Sequence, residues 1–318
     1  MTPKKPRFKW LKRLLALCFV LFLALNCIAY LHAYKFTHFT EGGVRNVKSE
    51  DNLSTSQKLH LAVTGVSLPQ PENTVVPPYA YTTIRLPNDI ANECWLSNIK
   101  NAKGTVVLCH GYAGSKAGML AKAIEFHVMG YNTLLIDFSG TKSSGTRTCT
   151  IGYNESKEVR AAVAYLRARG EKNIICCGTS MGAVAIIKAE HDSSLKCSKF
   201  ILECPFGSLK QTVYNRFVKQ GAPTFPMADL MLFWGGAQNG FNAFEFNPTA
   251  YAKSIKTSTL LMCGTNDEKV TADEINGIYA NLAGSKELLW LQGAGHAFYL
   301  NTHCTEWCAS VSAFLNKK

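Results

Sequence analysis

Hydrophobic and polar positions change character twice along the chain. From Leu14 through Tyr34 no Asp, Glu, Lys or Arg occurs, and the stretch opens with LLALCFVLFLAL. A helix of these 21 residues spans about 31 Å, close to the hydrocarbon thickness of a bilayer. A soluble core helix would carry a polar stripe, and Leu14 to Leu25 has none. The pattern predicts a transmembrane anchor over 14–34. Residues 35–80 are polar and end in LPQPENTVVPPYAY, which suits an extended spacer or a strap. From Tyr81 onward short apolar runs alternate with helical periods. Strands are predicted at YTTIRL and ECWLSNI around the turn LPND, then at TVVLC, NTLLIDF, NIICC, KFILEC, STLLMC and KELLWL. Helices are predicted near 117–129, 181–190, 271–282 and 303–316, and from Glu155 to Arg169, where Val159, Ala162, Val163 and Leu166 recur at helical spacing. Short apolar runs rich in β-branched residues mark strands buried on both faces. Their alternation with helices predicts an α/β fold with a mostly parallel sheet and helices on both faces. The run 205–250 breaks the rhythm; it is rich in Phe, Trp, Gly and Pro and is expected to form a small helical cap over the sheet's carboxyl edge. The expected organisation is a basic tail (1–13), the anchor (14–34), a linker (35–80) and a catalytic domain (81–318) carrying the cap (205–250).

Composition and charge refine this picture. At 47% hydrophobic and 18% charged residues the chain is an ordinary folding sequence. The net charge of +12 is uneven: six of the 34 basic residues (Lys4, Lys5, Arg7, Lys9, Lys12, Arg13) lie in the first 13 positions. Removing them leaves 28 basic against 22 acidic residues with no comparable concentration, so no nucleic-acid partner is expected. Basic residues before the apolar run, with few close behind it, place the N-terminus in the cytoplasm and the catalytic domain on the other side of the membrane. The alternative is a signal peptide cut after Ala33 and a secreted product, although Leu31 is bulky for such a site. Asn26 is also a poor residue just before a lipid-modified Cys27. Of the twelve cysteines, Cys109, Cys176, Cys177 and Cys263 lie in buried-strand patterns and read as core packing. With no CxxC, and with Cys304 and Cys308 too few to make a zinc site, no metal site is expected. Unpaired thiols sit awkwardly with export.

The candidate chemistry lies at strand ends. Gly178-Thr179-Ser180-Met181-Gly182 follows NIICC and opens a helix. In this strand–turn–helix setting Ser180 would stand on a sharp, strained turn, with Gly178 and Gly182 keeping side chains out of neighbouring backbone. A serine hydroxyl needs a base, and His296 in GAGHAF, after KELLWL, is the histidine placed in a loop at a strand's carboxyl end. The imidazole needs an acid to hold its tautomer; Asp267 follows STLLMC, with Glu203 as the reserve. An oxyanion would be met by the N–H groups of Met181 and of Tyr112 in the loop His110-Gly111-Tyr112-Ala113-Gly114, with His110 structural rather than a second base.

HGYAG, DFSG with SSG, CGTSMGA, LECPFGSL, NPTAYA, CGTND and GAGH stand in an order that resembles α/β-hydrolases, in particular Bem46-like and serine aminopeptidase-like (S33-type) hydrolases. The resemblance covers about residues 79–316. It implies the α/β-hydrolase fold and cleavage of esters, thioesters or amides through an acyl-enzyme, with no cofactor. DFSGTKSSG departs from it, carrying Thr141-Lys142 where relatives often have a small pair such as Gly-His. The expected function is a membrane-anchored serine hydrolase acting on a small-molecule or lipid-like acyl ester. The alternatives are a peptidase or aminopeptidase, and a non-catalytic binding protein of the same fold. The cap aromatics (Phe217, Phe225, Phe233, Trp234, Phe241, Phe244, Phe246) read either as the cap's own core or as a surface for an acyl group.

Overall fold

The apolar runs pair into one eight-stranded sheet. In chain order the strands are β1 (Thr82–Arg85), β2 (Glu93–Ser97), β3 (Thr105–Cys109), β4 (Asn132–Ile136), β5 (Ile174–Thr179), β6 (Lys199–Glu203), β7 (Ser258–Gly264) and β8 (Lys286–Leu291). The helices are α1 (Lys9–Thr37), α2 (Thr55–Thr64), α3 (Leu120–Val128), α4 (Glu155–Ala168), α5 (Met181–Asp192), α6 (Leu209–Lys219), α7 (Met227–Asn239), α8 (Pro248–Tyr251), α9 (Ala272–Asn281), α10 (Tyr299–Thr302) and α11 (Cys304–Asn316). The computed structural model describes residues 9–41, 54–87, 89, 92–296 and 299–317. The basic residues before Lys9, and Asn88 of the expected LPND turn, lie outside them.

The strand order is β1-β2-β4-β3-β5-β6-β7-β8. β1 pairs with β2, and β2 with β4, in antiparallel fashion; every pairing from β4 to β8 is parallel. In the centre Val107 stands opposite Leu134 on one side and Cys176 on the other. All five residues of β3 and all six of β5 are buried. Successive strand residues point to opposite faces, so unbroken burial means that both faces are covered. This is why TVVLC and NIICC show no polar alternation. Cys109, Cys176, Cys177 and Cys263 are buried within this core. Under the sheet Phe126 of α3 meets Trp307 of α11 edge-on at 5.8 Å, both fully buried. Truncating either ring would cost about 3–5 kcal/mol.

Parallel strands all end on one edge. The turns after β5, β7 and β8 therefore converge there, together with the loop after β3. The cap inserted between β6 and β7 consists chiefly of α6 and α7.

α1 runs three residues past Tyr34, and most of it is exposed; only Ala29, Ala33 and Thr37 are buried. By length and composition it is a candidate membrane-crossing helix. Its second half lies on α7, where Trp234 Nε1 donates to Asn26 Oδ1 at 3.1 Å and Gln238 Nε2 donates to the Tyr30 carbonyl at 3.0 Å. Within 35–80, α2 begins with a capping box between Ser54 and Gln57. The stretch after it is tied to the domain: Gln70 N donates to Thr40 O, the Pro71 carbonyl accepts from Lys142 N at 2.8 Å, and Asn73 Nδ2 donates to Asp137 at 2.6 Å.

Candidate active site

Ser180 sits at the junction of β5 and α5 with φ 53° and ψ −114°, a region that costs a non-glycine residue about 1–3 kcal/mol. The turn is held by the Ser180 N–H donating to the Glu203 carbonyl at 2.8 Å and by Val184 N–H donating to Ser180 O at 3.0 Å. Its flanking glycines are steric requirements. A Cβ on Gly178 would lie 2.6 Å from Ala183 N, and one on Gly182 would lie 2.2 Å from the Cys109 carbonyl oxygen. The turn is thus pressed directly against the end of β3.

His296 Nε2 is 3.0 Å from Ser180 Oγ, and His296 Nδ1 is 2.8 Å from Asp267 Oδ2. Three side chains from three separate strand ends form one hydrogen-bonded line. In the neutral ring the carboxylate fixes the tautomer: Nδ1 carries a proton donated to Asp267, which leaves Nε2 as the acceptor facing the hydroxyl. Asp267 Oδ1 also accepts from the N–H groups of Lys269 (2.8 Å) and Val270 (3.0 Å). Burial would raise the Asp267 pKa, but His296 and these two amides outweigh it and hold the carboxyl below its usual range. For His296 burial acts downward; the bond to Asp267 and the neighbouring Cys204 sulfur act upward and prevail, leaving the imidazole at about 9.

The loop 110–114 closes over the turn. Phe138 N–H donates to His110 Nε2 at 3.1 Å, so the ring's proton is on Nδ1, which donates to the Gly111 carbonyl at 2.8 Å. Burial lowers the His110 pKa and keeps it neutral in this bridging role. Gly111 lies against Thr179 and Ser180, where an added Cβ would be 3.3 Å from the Thr179 carbonyl. Met181 is the first residue of α5, so its N–H has no acceptor within the helix. Tyr112 follows Gly111; its hydroxyl donates to the Phe36 carbonyl at 2.7 Å and its ring stacks on Phe36 at 4.8 Å.

Comparisons with known proteins agree with this architecture. A family model described as serine aminopeptidase, S33, matches residues 100–231. The Bacillus subtilis protein YqkD, itself uncharacterized, is 24% identical over 216 residues, covering 67% of this chain and 71% of its own length. An esterase of Pyrococcus furiosus superposes with a TM-score of 0.61 at 22% identity, over 77% of this chain and 96% of that one. An esterase of Exiguobacterium antarcticum does so with a TM-score of 0.56 at 16% identity, over 75% of this chain and 100% of that one. The chain has the α/β-hydrolase fold.

Within this fold the reserve acid is placed elsewhere. The Glu203 carboxylate faces inward, taking Lys122 Nζ as an ion pair and accepting from Thr179 Oγ1 at 2.7 Å and Trp307 Nε1 at 2.8 Å. The departure Thr141-Lys142 divides its roles. Thr141 is buried and bonds back to the Phe138 carbonyl, whereas Lys142 reaches outward to Glu72 at 2.7 Å.

Two neighbours of the site escaped the sequence reading. Cys204, buried directly after β6, brings its sulfur beside the imidazole; one ligand atom each from Cys204, Asp267 and His296 lie within 4.8 Å of one another. A thiophilic metal there would compete with the Asp267–His296 bond instead of supporting it. The signal was present in LECPFG, a cysteine at a strand end beside the strand that delivers Asp267. The second is Phe36, which comes from the apolar N-terminal helix and carried no chemical signal.

Proposed function

We propose that this protein is a serine hydrolase that cleaves acyl esters, with Ser180 as nucleophile, His296 as general base and acid, and Asp267 as the group that orients the imidazole and stabilises its charged form. The observation carrying this reading is the unbroken line of hydrogen bonds from Ser180 Oγ through His296 to Asp267 Oδ2, at 3.0 and 2.8 Å. Attack by Oγ on the carbonyl carbon passes the hydroxyl proton to His296 Nε2 and puts negative charge on the carbonyl oxygen. The N–H groups of Met181 and Tyr112 are the proposed donors to that oxygen. His296 then protonates the departing alcohol, and a water activated in the same way releases the acid from Ser180. Every proton movement is served by side chains of this chain, so the reaction as written requires no cofactor.

Ester chemistry is favoured by the esterases among the structural relatives and by the apolar cap. An aminopeptidase would need a free carboxylate for the substrate's ammonium. Of the cap's acids, Asp229 is already engaged by the Tyr214 hydroxyl at 2.6 Å. Anchoring by α1, N-terminus inside, remains part of the proposal and rests on its apolar composition, the exposure of its first half and the basic residues before it. A fluorophosphonate probe should label wild type and leave Ser180→Ala unlabelled. The protein should turn over p-nitrophenyl esters faster than aminoacyl anilides. No labelling of folded protein at pH 8–9 would defeat the serine-hydrolase reading, and faster anilide cleavage would defeat the ester assignment.

A further inference from the structure

The end of α1 reaches into the active-site wall. Phe36 is held between two parts of the site: on one side its ring stacks on Tyr112, and on the other the Arg216 guanidinium of α6 sits 4.5 Å from its ring centroid. The Phe36 carbonyl receives the Tyr112 hydroxyl at 2.7 Å, and Phe39 packs on the same tyrosine ring at 5.6 Å. Beyond the helix the chain zips onto the loop after β4: Cys149 N donates to Thr37 O at 2.8 Å, Phe39 N donates to Arg147 O at 2.9 Å, and His38 bridges Thr148. Upstream, Asn26 and Tyr30 are bonded to α7. A segment meant only as a tether has no reason to be fastened at three levels to the cap, the loop after β4 and the loop that precedes Ala113.

We infer that Phe36 is a positioning residue: through stacking and the Tyr112 hydroxyl it sets the place of the Tyr112 backbone N–H, which makes the N-terminal helix a working part of the active site and not a removable leader. This rests on the serine-hydrolase reading above. Tyr112 bears two loads: a side chain clamped to α1 and an N–H that the proposed mechanism uses as a donor to the oxyanion. Freeing the side chain lets the N–H wander by fractions of an ångström. A donor lost entirely costs about 10²–10³ in rate, and one merely loosened costs a part of that. Since the oxyanion exists only in the transition state, the loss should fall on kcat and spare KM.

The test uses the full-length protein in detergent micelles with p-nitrophenyl butyrate. For Phe36→Ala, kcat should fall roughly tenfold or more with KM within about twofold of wild type. Tyr112→Phe, which removes only the hydroxyl, should lose about three- to tenfold in kcat. Phe36→Tyr, which keeps the ring, should recover most of the rate. If Phe36→Ala fails to fold, Tyr112→Phe and Phe36→Tyr decide. Turnover of Phe36→Ala or Tyr112→Phe within twofold of wild type, or a raised KM at unchanged kcat, overturns the inference. Ser180→Ala run in parallel separates the two levels. A dead Ser180→Ala with an unaffected Phe36→Ala removes only the positioning role, whereas a fully active Ser180→Ala removes Ser180 as the nucleophile and with it the serine-hydrolase reading.

Discussion

Substituting Gly182 by alanine adds a single methyl group at the point where the Ser180 turn meets β3. The new Cβ would stand 2.2 Å from the Cys109 carbonyl oxygen and 2.7 Å from the His110 carbonyl oxygen. Ordinary contact begins near 3.4 Å, so the start of α5 and the end of β3 must part by about 1 Å. Neither neighbour is a flexible side chain; both are backbone at the root of the loop that carries Tyr112. Overpacking of this kind costs about 1–3 kcal/mol in stability. A displacement of about 1 Å between nucleophile and oxyanion donors costs on the order of 10² in rate. Gly118→Ala is the matched control, because its Cβ meets nothing within 4 Å. Steady-state hydrolysis of p-nitrophenyl butyrate, with thermal unfolding on the same samples, gives both quantities. The expected result is a folded Gly182→Ala protein with kcat/KM down about a hundredfold, beside an unaffected Gly118→Ala. Wild-type turnover in Gly182→Ala would show that the turn and the loop do not meet as described, and the reasoning would fail with it.

Asp267→Asn should lower kcat by about 10³–10⁴ with little change in KM, because Nδ1 loses its charged acceptor. Glu203→Gln should act on stability instead: it leaves Lys122 buried without its carboxylate, a loss of about 3–5 kcal/mol, read as a fall of roughly 10 °C in the thermal midpoint. Only neutral His296 can accept the serine proton, so kcat/KM should rise with pH, with its acid limb displaced from 6.5 towards about 9. The same raised pKa gives a stabilisation that is full below 6.5 and lost as pH climbs through about 9, measurable as a pH-dependent midpoint. Zn²⁺ should inhibit at micromolar levels, chelator should restore activity, and Cys204→Ser should blunt the effect; indifference of wild type to Zn²⁺ would refute a usable ligand set at Cys204, Asp267 and His296.

Much of this was legible in advance because it rests on local rules. All eight strands overlap runs that read as strands in the sequence, seven of them apolar and β1 (Thr82–Arg85) not, and the carboxyl-edge convergence of Ser180, Asp267 and His296 follows from parallel pairing. The choice of Asp267 over Glu203 was harder, since both stand at strand ends. The Glu203 side chain points into the interior, where Lys122 and Trp307 wait, and neither of those partners is near it in sequence. α2 carried a visible capping pair, Ser54 and Gln57, but none of its residues is buried, so no apolar stripe announced it. The cap helix α7 is apolar on several faces at once, which blurs any period. Contacts of Phe36 with Tyr112, 76 positions apart, are tertiary and leave no trace in either segment.

The sulfur-rich interior has a bearing on where such a protein can work. Cys94, Cys109, Cys149, Cys176, Cys177, Cys197, Cys204 and Cys263 are shut away from solvent, and burial pushes several of these thiols up, that of Cys263 to about 12. Attack and oxidation proceed through thiolate, which such sites scarcely populate at neutral pH. An oxidising milieu therefore meets chiefly Cys304 and Cys308 on the outside of the domain, with Cys18 and Cys27 on the apolar helix. Unpaired cysteines are then no bar to life beyond the cytoplasm: the fold passivates its own sulfur.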